Sequence, residues 1–291
     1  MGRRSAQTPW MAFRQRLTKV SQGHLESSGE SVGPGRAIFT PRSIADIRQA
    51  HALCVEYGVV LALAGKLDQI ADSGQSLLCI DPVDLTTLTP LESAPLSWRA
   101  EPGCTVGQLA DIGLRQFEGL PAGQTLAQWI VQRACWAPGE CTASGVLSAN
   151  VLLADGVRET LGAFGEADVK PLQSSTVQHL IPALFQLAAN PEIRACRDLP
   201  VWPARYRLDA LLPQSPQTVN LAHLLLGHAG TLAWVESVVL TPMPPCLRSA
   251  GTLSQIQIVP TMQSRMKTLF DPKGLFPSLA VSAPFDECAS R

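Results

Sequence analysis

The stretch from Ala37 to Leu63 leaves the chain few folds to choose from. Ala37-Ile38-Phe39 reads as a short strand closed by Thr40-Pro41. Ser43 stands as an N-cap, with Asp46 three residues on as its capping-box partner. Ile44, Ile47, Ala50 and Cys54 then recur at helical spacing, and Gly58 stops the helix. Val59 to Leu63 is a continuous apolar strand. A strand–helix–strand unit of this length predicts parallel pairing through a right-handed crossover. Further strands are predicted at Ser76–Asp81 and Leu96–Glu101. Helices are predicted from an N-cap at Thr105 through Ile112 and Leu114, over Val177–Leu187, and over Val259–Phe270 with Met262, Met266 and Leu269 on one face.

A second stretch, Asn220 to Thr241, joins both kinds of element. Asn220 caps a short amphipathic helix carrying Leu221, Leu224 and Leu225. Gly227 ends it, and Gly230 permits a tight turn with positive φ. Thr231 to Leu240 is rich in β-branched and aromatic residues, a strand. Such a turn lets backbone N–H groups approach something flat or anionic; a plain helix–turn–strand corner has the same spacing.

Composition removes several function classes. Of 291 residues, 46% are apolar and 16% charged, enough for a buried core and against disorder. A net charge of −1 gives no global field for nucleic acid or anionic membrane, and aromatics at 5% form no base-stacking stripe. The eight cysteines include no C-x-x-C pair, which argues against an iron–sulfur cluster or structural zinc and for reduced thiols in a cytoplasmic setting. His223 and His228 are five apart, a poor spacing for two ligands on one helical face, so no metal is expected. No signal-peptide core or transmembrane run of roughly 18 apolar residues is present. Residues 1–36 read as a flexible N-terminal arm.

Several segments, in order, resemble the FAD-linked oxidases, the vanillyl-alcohol-oxidase and PCMH type that includes D-lactate dehydrogenase and glycolate oxidase relatives. They are Phe39-Thr40-Pro41-Arg42-Ser43-Ile44-Ala45-Asp46-Ile47, Glu101-Pro102-Gly103-Cys104-Thr105, Thr142-Ala143-Ser144-Gly145-Val146-Leu147-Ser148-Ala149-Asn150, Gly156 to Gly162, Tyr206-Arg207-Leu208-Asp209-Ala210-Leu211-Leu212-Pro213, Gly227 to Val235, and Asp271-Pro272-Lys273-Gly274-Leu275-Phe276-Pro277. The match is most specific from Tyr206 to Val235. The resemblance implies an α+β fold: a PCMH-type FAD-binding domain of two α+β subdomains over 37–245, then a vestigial cap and C-terminal helix over 246–291. It implies FAD contacts from Gly65, Gly103, Ser144, Gly145, Asn150, Gly227, Gly230, Thr231, Leu232 and Val235. The small Ser144-Gly145 pair would equally suit close backbone packing. The family's Arg-Gly-Gly-Gly-Thr phosphate loop is replaced by Ala64-Gly65-Lys66-Leu67-Asp68, which keeps one glycine and adds a carboxylate. The family's flavin-linking histidine is missing from this loop, so the FAD would be non-covalent.

The activity implied is oxidation of a 2-hydroxy acid such as glycolate or D-lactate. Arg205 and Tyr206, with Arg207, are substrate candidates, because an arginine fork suits a carboxylate; solvated surface arginines are the alternative. No catalytic residue is identified, and His228, where the family carries Ser, is either a flavin contact or solvated. Partners would be other oxidase subunits, iron–sulfur or flavin, in the cytoplasm or peripheral to a membrane complex. The alternative is a non-catalytic flavin-fold protein, a structural or regulatory partner of a larger oxidase.

Overall fold

The computed structural model describes residues 8–27, 34–65, 71, 73–132, 136–165, 171–245 and 258–280. It begins with a helix where a loose arm is expected. Helix α1 (Pro9–Val20) is capped by Thr8, whose side chain accepts from Met11 N, and carries Pro9 at its first position. Its buried residues, Phe13 and Leu17, sit four apart on one face. Strand β1 (His24–Ser27) follows and pairs antiparallel with β2 (Arg36–Thr40). The flexible-arm expectation for residues 1–36 is therefore corrected over Pro9–Val20 and His24–Ser27. Thr8-Pro9 was the signal for it.

Helix α2 (Ile44–Tyr57) forms as the sequence indicates. Ser43 and Asp46 make the reciprocal capping box, and Gly58 closes the helix in the left-handed conformation at φ 64°. Asp46 also accepts from the backbone N–H groups of Gln22 and Arg42, so one carboxylate fixes both the helix start and the end of α1's connection. Strand β3 (Val60–Leu63) follows, buried throughout, and then β4 (Leu77–Ile80). The order is β1-β2-β4-β3. Strands β2 and β3 are parallel members of one sheet as expected, but β4 lies between them and pairs with each.

The second sheet is antiparallel, in the order β5-β6-β9-β7-β8. Its strands are β5 (Leu88–Pro90), β6 (Trp98–Ala100), β7 (Val146–Leu152), β8 (Arg158–Leu161) and β9 (Trp234–Leu240). Between β6 and β7 lie two short helices, α3 (Val106–Asp111) and α4 (Leu126–Val131). They have capping boxes Thr105/Gln108 and Thr125/Gln128. Helix α3 stops at Asp111, short of the expected Leu114. Between β8 and β9 come α5 (Ser175–Ala188) and α6 (Pro191–Ala195). The segment Leu221–Leu225 is a 3-10 helix capped by Asn220, whose side chain accepts from Ala222 N. Finally α7 (Ile258–Phe270) packs against α5.

Each sheet has its own core. The larger one holds Ala149, Val151, Val238 and Leu240 from the second sheet with Leu180 and Leu184 of α5 and Met262 and Met266 of α7. The smaller holds Phe39, Leu61, Leu78 and Ile80 under α1 and α2. An α+β fold of two subdomains is the architecture observed, with the C-terminal helix packed back on it. Burial of apolar surface at about 25 cal/mol per Å² drives both cores.

The two subdomains are joined by polar links as well. Arg48 of α2 makes a two-pronged contact with Glu236 of β9, at 2.7 and 2.8 Å. His51 of α2 bonds Leu153 O at 2.9 Å. Past α7, Asp271 accepts from Leu275 N and Phe276 N and pairs with Lys267. That turn delivers Leu275 O to Leu61 N of β3 at 2.9 Å. Among the described residues no helix is long and apolar enough to cross a membrane.

Candidate functional site

Leu221–Leu225 and the turn after it are positioned by α4. Gly227 N donates to Ile130 O at 2.7 Å and Ala229 N to Val131 O at 3.0 Å. The turn needs left-handed backbone: φ is 80° at Gly227, 54° at Ala229 and 72° at Gly230. Thr231 Oγ1 donates to His228 O at 2.6 Å, holding Thr231 in the turn. Strand β9 therefore starts at Trp234, three residues later than Thr231. At Gly230 an added Cβ would lie 3.6 Å from Leu63 Cβ, so the turn sits directly on the end of β3.

The end of β3, the end of α4, the turn and the first residues of β9 thus meet at the seam between the sheets. They enclose a cavity of about 20 Å³, lined by Leu63, Val131, His228, Gly230, Trp234 and Val235 among others. That volume takes a single water. Two of the lining groups have no hydrogen-bond partner: His228 Nε2 and Trp234 Nε1. His228 is 1% exposed and Trp234 5%. Leu232 N donates to His228 Nδ1 at 3.5 Å, which leaves Nε2 as the protonated, donating nitrogen. A buried donor left unsatisfied costs about 1–3 kcal/mol. Burial, with Arg205 and Lys267 nearby, pushes the His228 pKa down to about 3, so the ring is neutral at pH 7.

Five of the residues singled out by sequence come together here. Gly227, Gly230 and Thr231 form the turn, and Val235 lines the cavity. Gly65, at φ 78°, lies in the turn two residues past β3, with Gln128 of α4 beside it. Lys66, Leu67 and Asp68 lie outside the described residues. Leu232 is buried in the larger core rather than lining the cavity.

The other site residues lie elsewhere. Gly103 meets backbone: a Cβ there would fall 2.0 Å from Pro82 O. Gly145, at φ 73°, would put a Cβ 2.4 Å from Thr241 O, and its carbonyl accepts from Thr241 N. Ser144 is buried beside it, its hydroxyl accepting from Val146 N. The small pair thus allows two backbones to meet. Asn150 lies on the outer face of the second sheet, donating to Ser237 and accepting from Thr160. With Gly145 and Arg99 it lines a larger, open cavity of about 880 Å³.

The substrate candidates are interior. Arg205 is 6% exposed and Tyr206 1%, in place of the open arginine fork expected. Tyr206 Oη shares a 2.7 Å hydrogen bond with Thr231 Oγ1, and burial raises its pKa to about 12. Arg207 is fully buried, bound to Asp209 at 2.9 and 2.6 Å and to the carbonyls of Trp136 and Ala137 at 3.0 Å each. Asp209 in turn accepts from Gly139 N. This pair locks the chain before the turn, so neither arginine is the solvated surface group of the alternative reading. His223 donates toward Val146 O at 2.9 Å and is pushed by burial down to about 4. No group of three or more metal-ligating side chains occurs among the described residues. The five described free cysteines are buried; burial raises Cys79 to about 11 and Cys141 to about 12, so their thiols stay protonated. Trp234 and His228 were the partners that sequence reading missed or left undecided.

No family model and no curated protein matches the chain. Among solved structures it is similar to an alkyldihydroxyacetonephosphate synthase, at 14% identity and a TM-score of 0.46, covering 83% of this chain and 42% of that one. It is similar also to the glucooligosaccharide oxidase of Acremonium strictum that carries a 6-S-cysteinyl, 8α-N1-histidyl FAD (13% identity, TM-score 0.47, 80% and 42%). A third is the xylooligosaccharide oxidase of Myceliophthora thermophila C1 (16% identity, TM-score 0.45, 79% and 42%). The chain spans about 42% of the length of each of these three.

Proposed function

We propose that this chain is the FAD-binding unit of an oxidoreductase, holding the cofactor non-covalently at the seam between its two sheets. The observation that carries the reading is the convergence there of the positive-φ turn Gly227–Gly230, the end of β3 at Leu63, and two buried donors without partners, His228 Nε2 and Trp234 Nε1. Donors of this kind fit an acceptor-rich part of a dinucleotide, with Arg205 nearby; Lys267 is already held by Asp271 and the carbonyls of Thr231 and Phe276. The volume fits only if side chains in the seam move. FAD when bound supplies the hydride acceptor. The chain's own residues supply the donors, the apolar wall of Leu61, Leu63 and Val235 that excludes water, and the tie between subdomains through Arg48 and Glu236. The substrate class proposed is a 2-hydroxy acid such as glycolate or D-lactate, with electrons passing to a partner subunit. Flavin absorbance of the purified protein, followed by titration with FAD and assay with glycolate and D-lactate against an artificial acceptor, tests it. FAD retention without turnover of either acid would remove the substrate class and keep the cofactor.

A second reading, a non-catalytic partner of a larger oxidase, is favoured by the small seam cavity and by the interior placement of Arg205 and Tyr206. A colourless protein indifferent to added FAD is the result it expects.

A further inference from the structure

Trp234 is the first residue of β9, and it pairs in register with Leu152 of the second sheet. Its indole nevertheless belongs to the core of the first sheet, among Leu61, Leu63, Val131, Leu275 and Phe276. It lines the seam cavity of about 20 Å³ together with Leu61, Leu63, Val131, His228 and Phe276. The closed arrangement is not fully satisfied, because the indole N–H and His228 Nε2 both lack an acceptor. The indole ring makes no hydrogen bond of its own, so packing holds the ring in place, and both donors gain hydrogen bonds when an acceptor, a water or a ligand, enters.

We infer that Trp234 is a displaceable plug that competes with FAD for the seam and sets the chain's cofactor affinity. This rests on the FAD reading proposed above. The bulk of the indole opposes entry. The neighbouring His228 Nε2–H, neutral and fixed by the turn, meets the incoming acceptor oxygen or nitrogen once the indole has moved. The residue thereby makes loading conditional: the two sheets pack tightly without cofactor, through the same side chain that must leave the seam for the cofactor to bind.

The test compares FAD titrations, read by flavin fluorescence, of the full chain with Trp234→Leu and Trp234→Phe. Leu keeps an apolar group in the seam and frees volume; Phe keeps a flat ring and loses only the N–H. The expected result is FAD binding at least about tenfold tighter in Trp234→Leu, with Trp234→Phe close to the wild type. Equal affinity in wild type and Trp234→Leu overturns the plug while leaving the FAD reading standing. Tightening by Phe as large as by Leu also overturns it, since the ring's bulk would then not be the obstacle. Three folded proteins that all ignore FAD remove the FAD reading and the plug together. A second measurement needs no folded Leu variant: the Trp234 indole N–H resonance of the wild type, assigned by its loss in Trp234→Phe. FAD should shift it or speed its exchange with deuterium; a resonance unmoved at saturating FAD overturns the plug.

Discussion

Acidification from pH 6.5 to 4.5 is expected to remove about 5 kcal/mol of folding stability through two histidines alone. Burial holds His223 at about 4 and His228 at about 3 in the fold, against an ordinary 6.5. The folded values are lowered, so the native state favours neutral rings. Their stabilising contribution is complete above about pH 6.5 and is lost as pH falls toward the folded values, because the unfolded chain takes up protons that the fold refuses. Each proton difference is worth about 1.36 kcal/mol per pH unit. Two histidines over two units give the figure above, comparable to the whole stability of an ordinary domain at about 5–15 kcal/mol. His51, also lowered by burial, adds loss in the same direction. Urea midpoints at pH 7, 6, 5 and 4.5 measure the effect. His223→Gln and His228→Gln together should flatten the slope by about 2.7 kcal/mol per pH unit, even if their stability at pH 7 is lower. A slope unchanged in the double variant would refute the assignment of acid sensitivity to these rings.

Further outcomes follow from single contacts. Asp209→Ala leaves the Arg207 guanidinium buried without its carboxylate and should cost about 3–5 kcal/mol in a denaturation experiment, whereas replacing both residues by apolar ones of similar size should recover much of it. Gly145→Ala should destabilise more than Gly113→Ala. Both have positive φ, but a Cβ at Gly145 strikes Thr241 O and one at Gly113 meets nothing within 4 Å. Ser43→Ala should cost about 1 kcal/mol through loss of the capping box, with the melting curve otherwise unchanged in shape.

What the sequence disclosed was mostly local. The Ser43/Asp46 box, Gly58, Thr105 and Asn220 act within a few residues of themselves, so their signals survive without knowledge of the fold. The N-terminal helix was hidden because its buried face is only Phe13 and Leu17, in an otherwise polar and basic stretch. The strand expected from Thr231 starts late because a side-chain hydrogen bond to His228 O competes with the ladder. Arg205 and Arg207 read as a substrate fork, or alternatively as solvated groups; Asp209, two positions away, is what makes an interior arginine tolerable at 207. Gly145 was read as a place where backbone meets cofactor or another backbone, whereas Gly103 was read only as an FAD contact in a turn. What approaches them is backbone from distant parts of the chain, which spacing cannot name.

The position of β9 has a temporal meaning. It is the last strand of its sheet to be synthesised, yet it sits between β6 and β7 and pairs with both. Until the ribosome has released residue 240, β6 and β7 have no common neighbour, and both carry open edges. Long-range pairings of this kind close slowly, since the entropy of a large loop must be overcome before the contacts form. The nascent chain therefore passes through an interval with unpaired strands and half a core, the state in which aggregation competes with folding. Arrival of Glu236 and Trp234 then ties the second sheet to the first in one event, through Arg48 and the core around Leu61. Pulse-labelling by hydrogen exchange would find β7 protected no earlier than β9.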